Sequence, residues 1–170
     1  MTIDELRIED PRPQRAWVTS RHDVPRAVAL VLGSAQRIVR AMQRDLAPFE
    51  LSTIAATEQI ERFLLAHRSA RVRLLVDDVA WLEAGAARLR QLQRFFPHAI
   101  EMRVASEDDA VGDDACLLAD ARHALLLTPT TQGLGDLWLN HEPHAQTWAA
   151  LFDRRWEAAA HNLPVVPLGL

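Results

Sequence analysis

The chain has no tyrosine, a single cysteine and only six glycines among its 170 residues. It also has no lysine, so all 19 of its Lys-or-Arg positions are arginine. These absences remove whole mechanisms. A P-loop lysine on nucleotide phosphates, a Schiff-base lysine, a Ser-Lys dyad and a tyrosine general acid all need side chains that are missing here. Cys116 alone supplies neither a disulfide framework nor a thiolate metal cluster, and its place in an apolar run marks it as a core residue. No apolar run approaches the ~18–20 residues of a membrane-spanning helix. The opening MTIDELRIEDPRPQR is acidic and polar where a secretory leader is basic and then apolar, so a cytoplasmic protein is expected. Charge argues against nucleic acid as well. The 23 acidic residues outnumber the 19 basic ones, and the net charge of −4 is opposite to the basic footprint of a dedicated nucleic-acid binder.

What is present suits one globular domain, because a chain of 170 residues with 49% hydrophobic content can bury a single sizeable core. Residues 1–20 carry four acidic residues among two prolines with no sustained period. They are expected to form a flexible arm outside the core that packs only through Trp17 and Val18, leaving residues 21–170 as the domain. Asp23, Pro25 and the run RAVALVLGSA have the order of cap, early proline and apolar face that starts a helix, with Gly33 at its end. QRIVRAM reads as a first strand. A second helix follows, capped by Ser52 or Thr57, with Ile60, Phe63, Leu64 and His67 at helical spacing. RVRLLVDD is a strand, VAWLEAGAARLRQLQRFF a long helix, and IEMRVA a third strand. Cys116–Ala119 and His123–Leu127 then make a hairpin turning on Asp120, Ala121 and Arg122. A closing helix carries Trp148, Leu151, Phe152 and Trp156. Alternating strands and helices predict an α/β fold with a mixed, mainly parallel sheet, flanking helices and a C-terminal β-hairpin.

Several groups of residues invite chemistry, and each has a plainer reading. Asp77 and Asp78 end a parallel-type strand, where α/β sheets place ligands, yet an aspartate before a helix is also a routine cap. His141 and His144 in HEPH could share a metal ion. No third ligand is spaced with them, and Pro143 interrupts the helix that would align them, so a surface loop or a helix cap is the expectation. Trp138, Trp148 and Trp156 read as packing groups rather than a platform for bases. Arg88, Arg90 and Arg94 could receive phosphate or form a solvated face. The acidic loop EDDAVGDD lacks the ligand spacing of a calcium site and reads as a connector. No G-x-S-x-G, G-x-G-x-x-G or C-x-x-C element occurs, and no cofactor is expected.

The order of elements, with a hairpin turning on an aspartate and a closing helix containing LFDRRWEAA, resembles one half of the phospholipase D superfamily over most of residues 21–160. Members of that superfamily carry H-x-K-x-x-x-x-D on the first hairpin strand and G-S-x-N on the second. Two halves bring their histidines together for attack on phosphorus and protonation of the leaving group. With Asp120 as the motif's aspartate, the histidine position falls on Asp113 and the lysine position on Ala115. The glycine, serine and asparagine positions fall on Leu127, Thr128 and Thr130. An aspartate in the nucleophile's place repels a phosphodiester, and an alanine cannot neutralise it. The resemblance therefore implies a degenerate half without phosphodiesterase activity. More closely, the chain is similar to an uncharacterised bacterial domain that occurs alone or behind an acetyltransferase domain of the GNAT type, although no acetyltransferase signature is present.

These readings combine into a non-catalytic module that binds a protein partner or a small anionic ligand, with a homodimer through the face where two halves meet. Its vestigial site would comprise Asp113, Asp120, His123, Thr128 and Thr130. The alternative is a hydrolase with a rebuilt, metal-dependent centre on the same hairpin or on the HEPH loop. The two separate on one observation, namely whether Asp113, Asp120 and a histidine converge within ligand distance.

Overall fold

The computed structural model describes residues 1–159 and 162–164. Its frame is a seven-stranded mixed sheet with strand order β1-β7-β6-β5-β2-β3-β4. The strands are β1 (Gln14–Val18), β2 (Ile38–Gln43), β3 (Arg71–Val76), β4 (Ile100–Val104), β5 (Cys116–Ala119), β6 (His123–Leu126) and β7 (Gly135–Leu139). β2 pairs in parallel with β3, and β3 with β4. The remaining neighbours, β2 with β5, β5 with β6, β6 with β7 and β7 with β1, are antiparallel. The parallel share is thus smaller than the sequence suggests, because two strands absent from that reading extend the antiparallel side.

Helices cover both faces. α1 (Asp23–Ser34), α2 (Ile54–Ala66) and α4 (Ala87–Phe95) lie on one face over Val39, Ala41, Val72, Leu74, Leu117 and Leu125. α5 (Glu142–Ala158) covers the other face, where Phe152 and Trp156 meet Met42, Leu75, Cys116 and Leu118. Residues of β5 alternate between the two cores, and all four are buried. That double burial is why the hairpin is apolar throughout instead of alternating with polar residues. Cys116 is wholly buried and its thiol is pushed up to about 12, chiefly by burial, so it is a packing group and not a nucleophile.

Residues 14–18 are not a mobile arm. β1 is a sheet strand with Ala16 and Val18 in the core, and Ile3 and Leu6 are buried beside them. Five residues alternating in burial make too short a pattern to stand out among charges and prolines. On the outward face of the β1–β7 pair, the Arg15 guanidinium lies 4.2 Å from the Trp17 ring and 4.3 Å from the Trp138 ring. Asp136 fixes it there with a 2.7 Å ion pair.

Local chemistry sets the helix ends. Asp23 is the first residue of α1 rather than its cap, and its carboxylate accepts from Thr19 N and Oγ1 and Ser20 N. Thr53, not Ser52 or Thr57, caps α2 by accepting from Ala56 N at 3.1 Å. Ser52 serves a different helix, because its hydroxyl accepts from Leu89 N at 3.2 Å in the first turn of α4. His67 ends α2 as its C-cap, and its ring lies tilted against that of Phe63 with centroids 5.7 Å apart. The expected single helix over residues 79–96 is two, α3 (Ala80–Ala84) and α4, broken at Gly85 and Ala86. The Gly85 N–H closes α3 on the Trp81 carbonyl at 2.7 Å. A Cβ at Gly85 would stand 2.7 Å from the Trp81 ring.

Candidate functional site

The β5–β6 hairpin holds the turn aspartate for a structural reason. Asp120 and Ala121 both have positive φ, 57° and 53°, the backbone sign that a tight right-twisting hairpin demands. The Asp120 carboxylate accepts three backbone hydrogen bonds, from Gln36 N at 2.7 Å, Arg37 N at 2.7 Å and Ile38 N at 2.9 Å. Its own N–H donates to the Ile38 carbonyl at 2.9 Å. Asp120 therefore clamps the entry to β2 onto the hairpin turn, and its oxygens face amides rather than a ligand.

His123 begins β6 and is buried, with Nδ1 accepting from Asn140 N at 3.1 Å. Burial holds its pKa below the ordinary 6.5; the neighbouring Arg122 lowers it further and Asp120 opposes both. His144 is lowered too, mainly by burial, and its ring lies 4.2 Å from that of Trp138. Burial makes both imidazoles harder to protonate in the fold than in the unfolded chain, where they take up protons near pH 6.5. Their contribution to stability is complete above that value and is lost as pH falls through their depressed folded values. The thermal midpoint followed by circular dichroism is expected to drop between pH 7 and pH 5. His123→Asn keeps an acceptor for Asn140 N without a titrating ring, and is expected to flatten that drop.

Asp113 lies at the other end of β5. Its side chain is fully exposed and reaches Arg44 at 3.2 Å. Ala115 is buried, while Thr128 and Thr130 lie exposed beyond β6. Thr130 is occupied within its own loop, exchanging backbone bonds with Gly133 and accepting from Gln132 N on its hydroxyl. β5 runs between Asp113 and Asp120 and places the two at opposite ends of the hairpin. The five residues expected to form one vestigial site thus divide between opposite ends of the hairpin. Nor do Asp120 and His123 pair with each other, since each is bound to a different backbone segment. Among the described residues, no three His, Cys, Asp or Glu side chains stand close enough to hold a metal ion together.

The other candidates also have structural employment. Asp77 accepts from Val111 N and Gly112 N, both at 2.8 Å, and pins the acidic loop to the end of β3. Asp78 accepts from Ala80 N at 2.8 Å at the start of α3. In that loop, Asp109 pairs with Arg154 at 3.1 Å and Asp114 with Arg155 at 2.8 Å, so the loop is tied to α5 instead of being a free connector. His141 caps α5 by accepting from His144 N at 3.3 Å, and Pro143 fits the first turn rather than breaking the helix. Arg90 is tied to Met102 and the Pro164 carbonyl, while Arg88 is exposed.

A cavity of about 610 Å³ opens at the carboxyl ends of β2 and β6, where Leu127 and Pro129, on either side of Thr128 in the chain, line it. Val24, Leu127 and Leu134 give it an apolar wall; Arg21, Gln43, Asp45 and Glu50 supply polar groups. The Gln43 Oε1 atom is buried without a hydrogen-bond partner, leaving an acceptor available. Leu46 and Glu50, with φ of 71° and 54°, bracket the short turn Ala47–Phe49 beside this cavity. Non-glycine residues in that region store strain that concentrates at functional sites. The carboxyl ends of parallel strands are also where open α/β sheets hold ligands. Sequence reasoning missed Gln43 and Asp45 because one glutamine and one aspartate after a strand make no pattern; the available signal was the strand end itself.

The architecture is that of a phospholipase D-like fold. The archaeal chromatin protein TrmBL2, whose structure shows a mode of DNA binding, superposes with a TM-score of 0.64 at 13% identity. That match covers 91% of this chain and 55% of TrmBL2, so the chain spans about half of that protein. Nuc of Salmonella typhimurium, a phospholipase D family member, superposes with a TM-score of 0.54 at 14% identity over 89% of this chain and 96% of Nuc. Phosphatidylserine synthase of Haemophilus influenzae gives the same TM-score of 0.54 and identity of 14%, over 89% of this chain and 39% of the synthase. No curated protein matches the chain in sequence. The chain belongs to the family described as a domain of unknown function, DUF7931, which it matches over residues 20–164. Among the described residues, no helix is long and apolar enough to cross a membrane.

Proposed function

We propose that this protein is a non-catalytic phospholipase D-like module that binds a small ligand in the cavity at the carboxyl ends of β2 and β6. One observation carries the reading: the turn aspartate is consumed by three backbone amides while the histidine and lysine positions hold Asp113 and Ala115. The fold is kept and the phosphate chemistry has no groups to perform it. A rebuilt hydrolase needs Asp113, Asp120 and a histidine together, and they lie at opposite ends of the hairpin. The degenerate half, and any pairing with a GNAT-type acetyltransferase, belong to this proposal and not to the family assignment.

The cavity's chemistry suggests the ligand. Asp45 and Glu50 outnumber Arg21, and Gln43 Oε1 needs a donor, so a small amine or zwitterion suits it better than the anion the superfamily resemblance implies. The same acidic excess weighs against the nucleic acid bound by TrmBL2. The test combines turnover of bis(p-nitrophenyl) phosphate, with and without divalent metal, and thermal melts in ethanolamine, glycine or inorganic phosphate. A bound ligand at a hundredfold its Kd stabilises by about 2.7 kcal/mol. The expected result is no turnover and a rise in midpoint with an amine that Gln43→Leu abolishes. Turnover lost in Asp113→Ala would overturn the non-catalytic reading, and stabilisation by phosphate alone would replace the amine with an anion.

A further inference from the structure

We infer that α2 and α4 together form a docking face for a second copy of this chain. On α2, Ile54, Glu58, Glu61 and Leu65 recur at intervals of four, three and four and are all exposed, so they form one stripe. On α4, Arg88, Gln91 and Phe95 recur at three and four and are likewise exposed. The two stripes flank a groove of about 300 Å³ lined by Ile54, Glu58, Glu61, Arg88 and Phe95.

Two independent features point to a partner. The exposed large apolar side chains are Ile54 (57%), Leu65 (70%) and Phe95 (64%) here, with Met1 and Ile8 elsewhere. Ile54 and Phe95 line the groove and Leu65 continues the same stripe of α2, which makes an exposed apolar surface of the kind that marks an interaction site. The charges beside them are uncommitted: among the described residues Glu58, Glu61 and Arg88 take part in no ion pair.

The arrangement of those charges selects the occupant. α2 contributes only acids to the groove and α4 only a base, side by side. A two-fold axis between the helices brings Glu58 and Glu61 of one copy onto Arg88 of the other, and the apolar residues meet at the same time. A partner of single charge sign would be repelled by one stripe. This face uses none of the hairpin or cavity residues, so its assembly differs from the meeting of two halves at the hairpin, and it stands or falls apart from the proposed ligand site.

Sedimentation equilibrium on the full chain tests it. The expected result is a dimer that Phe95→Glu, or separately Ile54→Glu, converts to monomer while the far-UV circular dichroism spectrum stays that of the folded chain. Glu61→Arg alone and Arg88→Glu alone are each expected to weaken the dimer roughly tenfold, and the double exchange to restore it. A monomeric wild-type chain would overturn the inference. So would a dimer indifferent to all these changes, which would move the contact elsewhere, or a double exchange that fails to restore association.

Discussion

Replacing Asp120 with alanine is expected to remove about 3–5 kcal/mol of folding stability, among the largest losses any single side chain outside the core can cause. The carboxylate serves three backbone donors at the entry to β2, and hydrogen bonds to a charged group contribute about 1.5–3 kcal/mol each before exposure weakens them. Asp120→Asn separates the contributions. Its single acceptor oxygen can still serve Arg37 N and Ile38 N, but the amide nitrogen then faces the Gln36 N–H, donor against donor. About 1–3 kcal/mol should be lost. Urea unfolding of the three proteins measures both, and hydrogen exchange at Arg37 and Ile38 should accelerate in step. If Asp120→Ala unfolds at the wild-type urea midpoint, the clamp is not what holds the hairpin to β2. A ligand-binding role for the same carboxylate would require the opposite pattern, with stability retained and binding lost.

The second large effect is expected at Gly135, the first residue of β7. A Cβ built there would overlap the Leu126 carbonyl oxygen and crowd the Leu127 backbone at 3.0 Å. Both are main-chain groups of the neighbouring strand and cannot swing aside as a side chain would. Gly135→Ala must push β7 away from β6, with a loss of about 3 kcal/mol or more. Gly112 offers the control: its φ is +63°, yet nothing lies within 4 Å of a Cβ there, so Gly112→Ala should show only the backbone penalty of about 1–2 kcal/mol. Comparable urea midpoints for the two variants would mean that close approach of strands is not what Gly135 provides.

The difference between these two positions shows what the sequence could and could not disclose. The β5–β6 hairpin was legible because two apolar runs flank Asp120, Ala121 and Arg122, and double burial leaves a strong signal. β7 was not, because Gly135–Leu139 alternates over only five residues, and one of its two neighbours in the sheet, β1, lies far away in the chain. β1 had the same weakness. The helices were found, but their caps depended on partners invisible to spacing: Ser52 reaches α4, and Asp23 turns back to Thr19. For the candidate site, the two apolar runs placed Asp120 at the turn and Asp113 before β5, where the structure has them. Treating them as neighbours overlooked that a strand carries its two ends far apart. Gln43 and the strained turn at Leu46 and Glu50 are properties of the folded backbone, with no trace in composition.

The pairing of β1 with β7 also sets a timetable. Gln14 opposes Leu139 in the sheet, so β1 must wait for β7 to be made before the two can pair. At about 5–20 residues per second, roughly 6–25 s pass between the synthesis of the two. During that interval Ala16 and Val18 have no core to enter, whereas β2 and β3, linked by α2, can already associate. The early residues therefore act as the final stave of the sheet, and birth order runs opposite to assembly order along this edge.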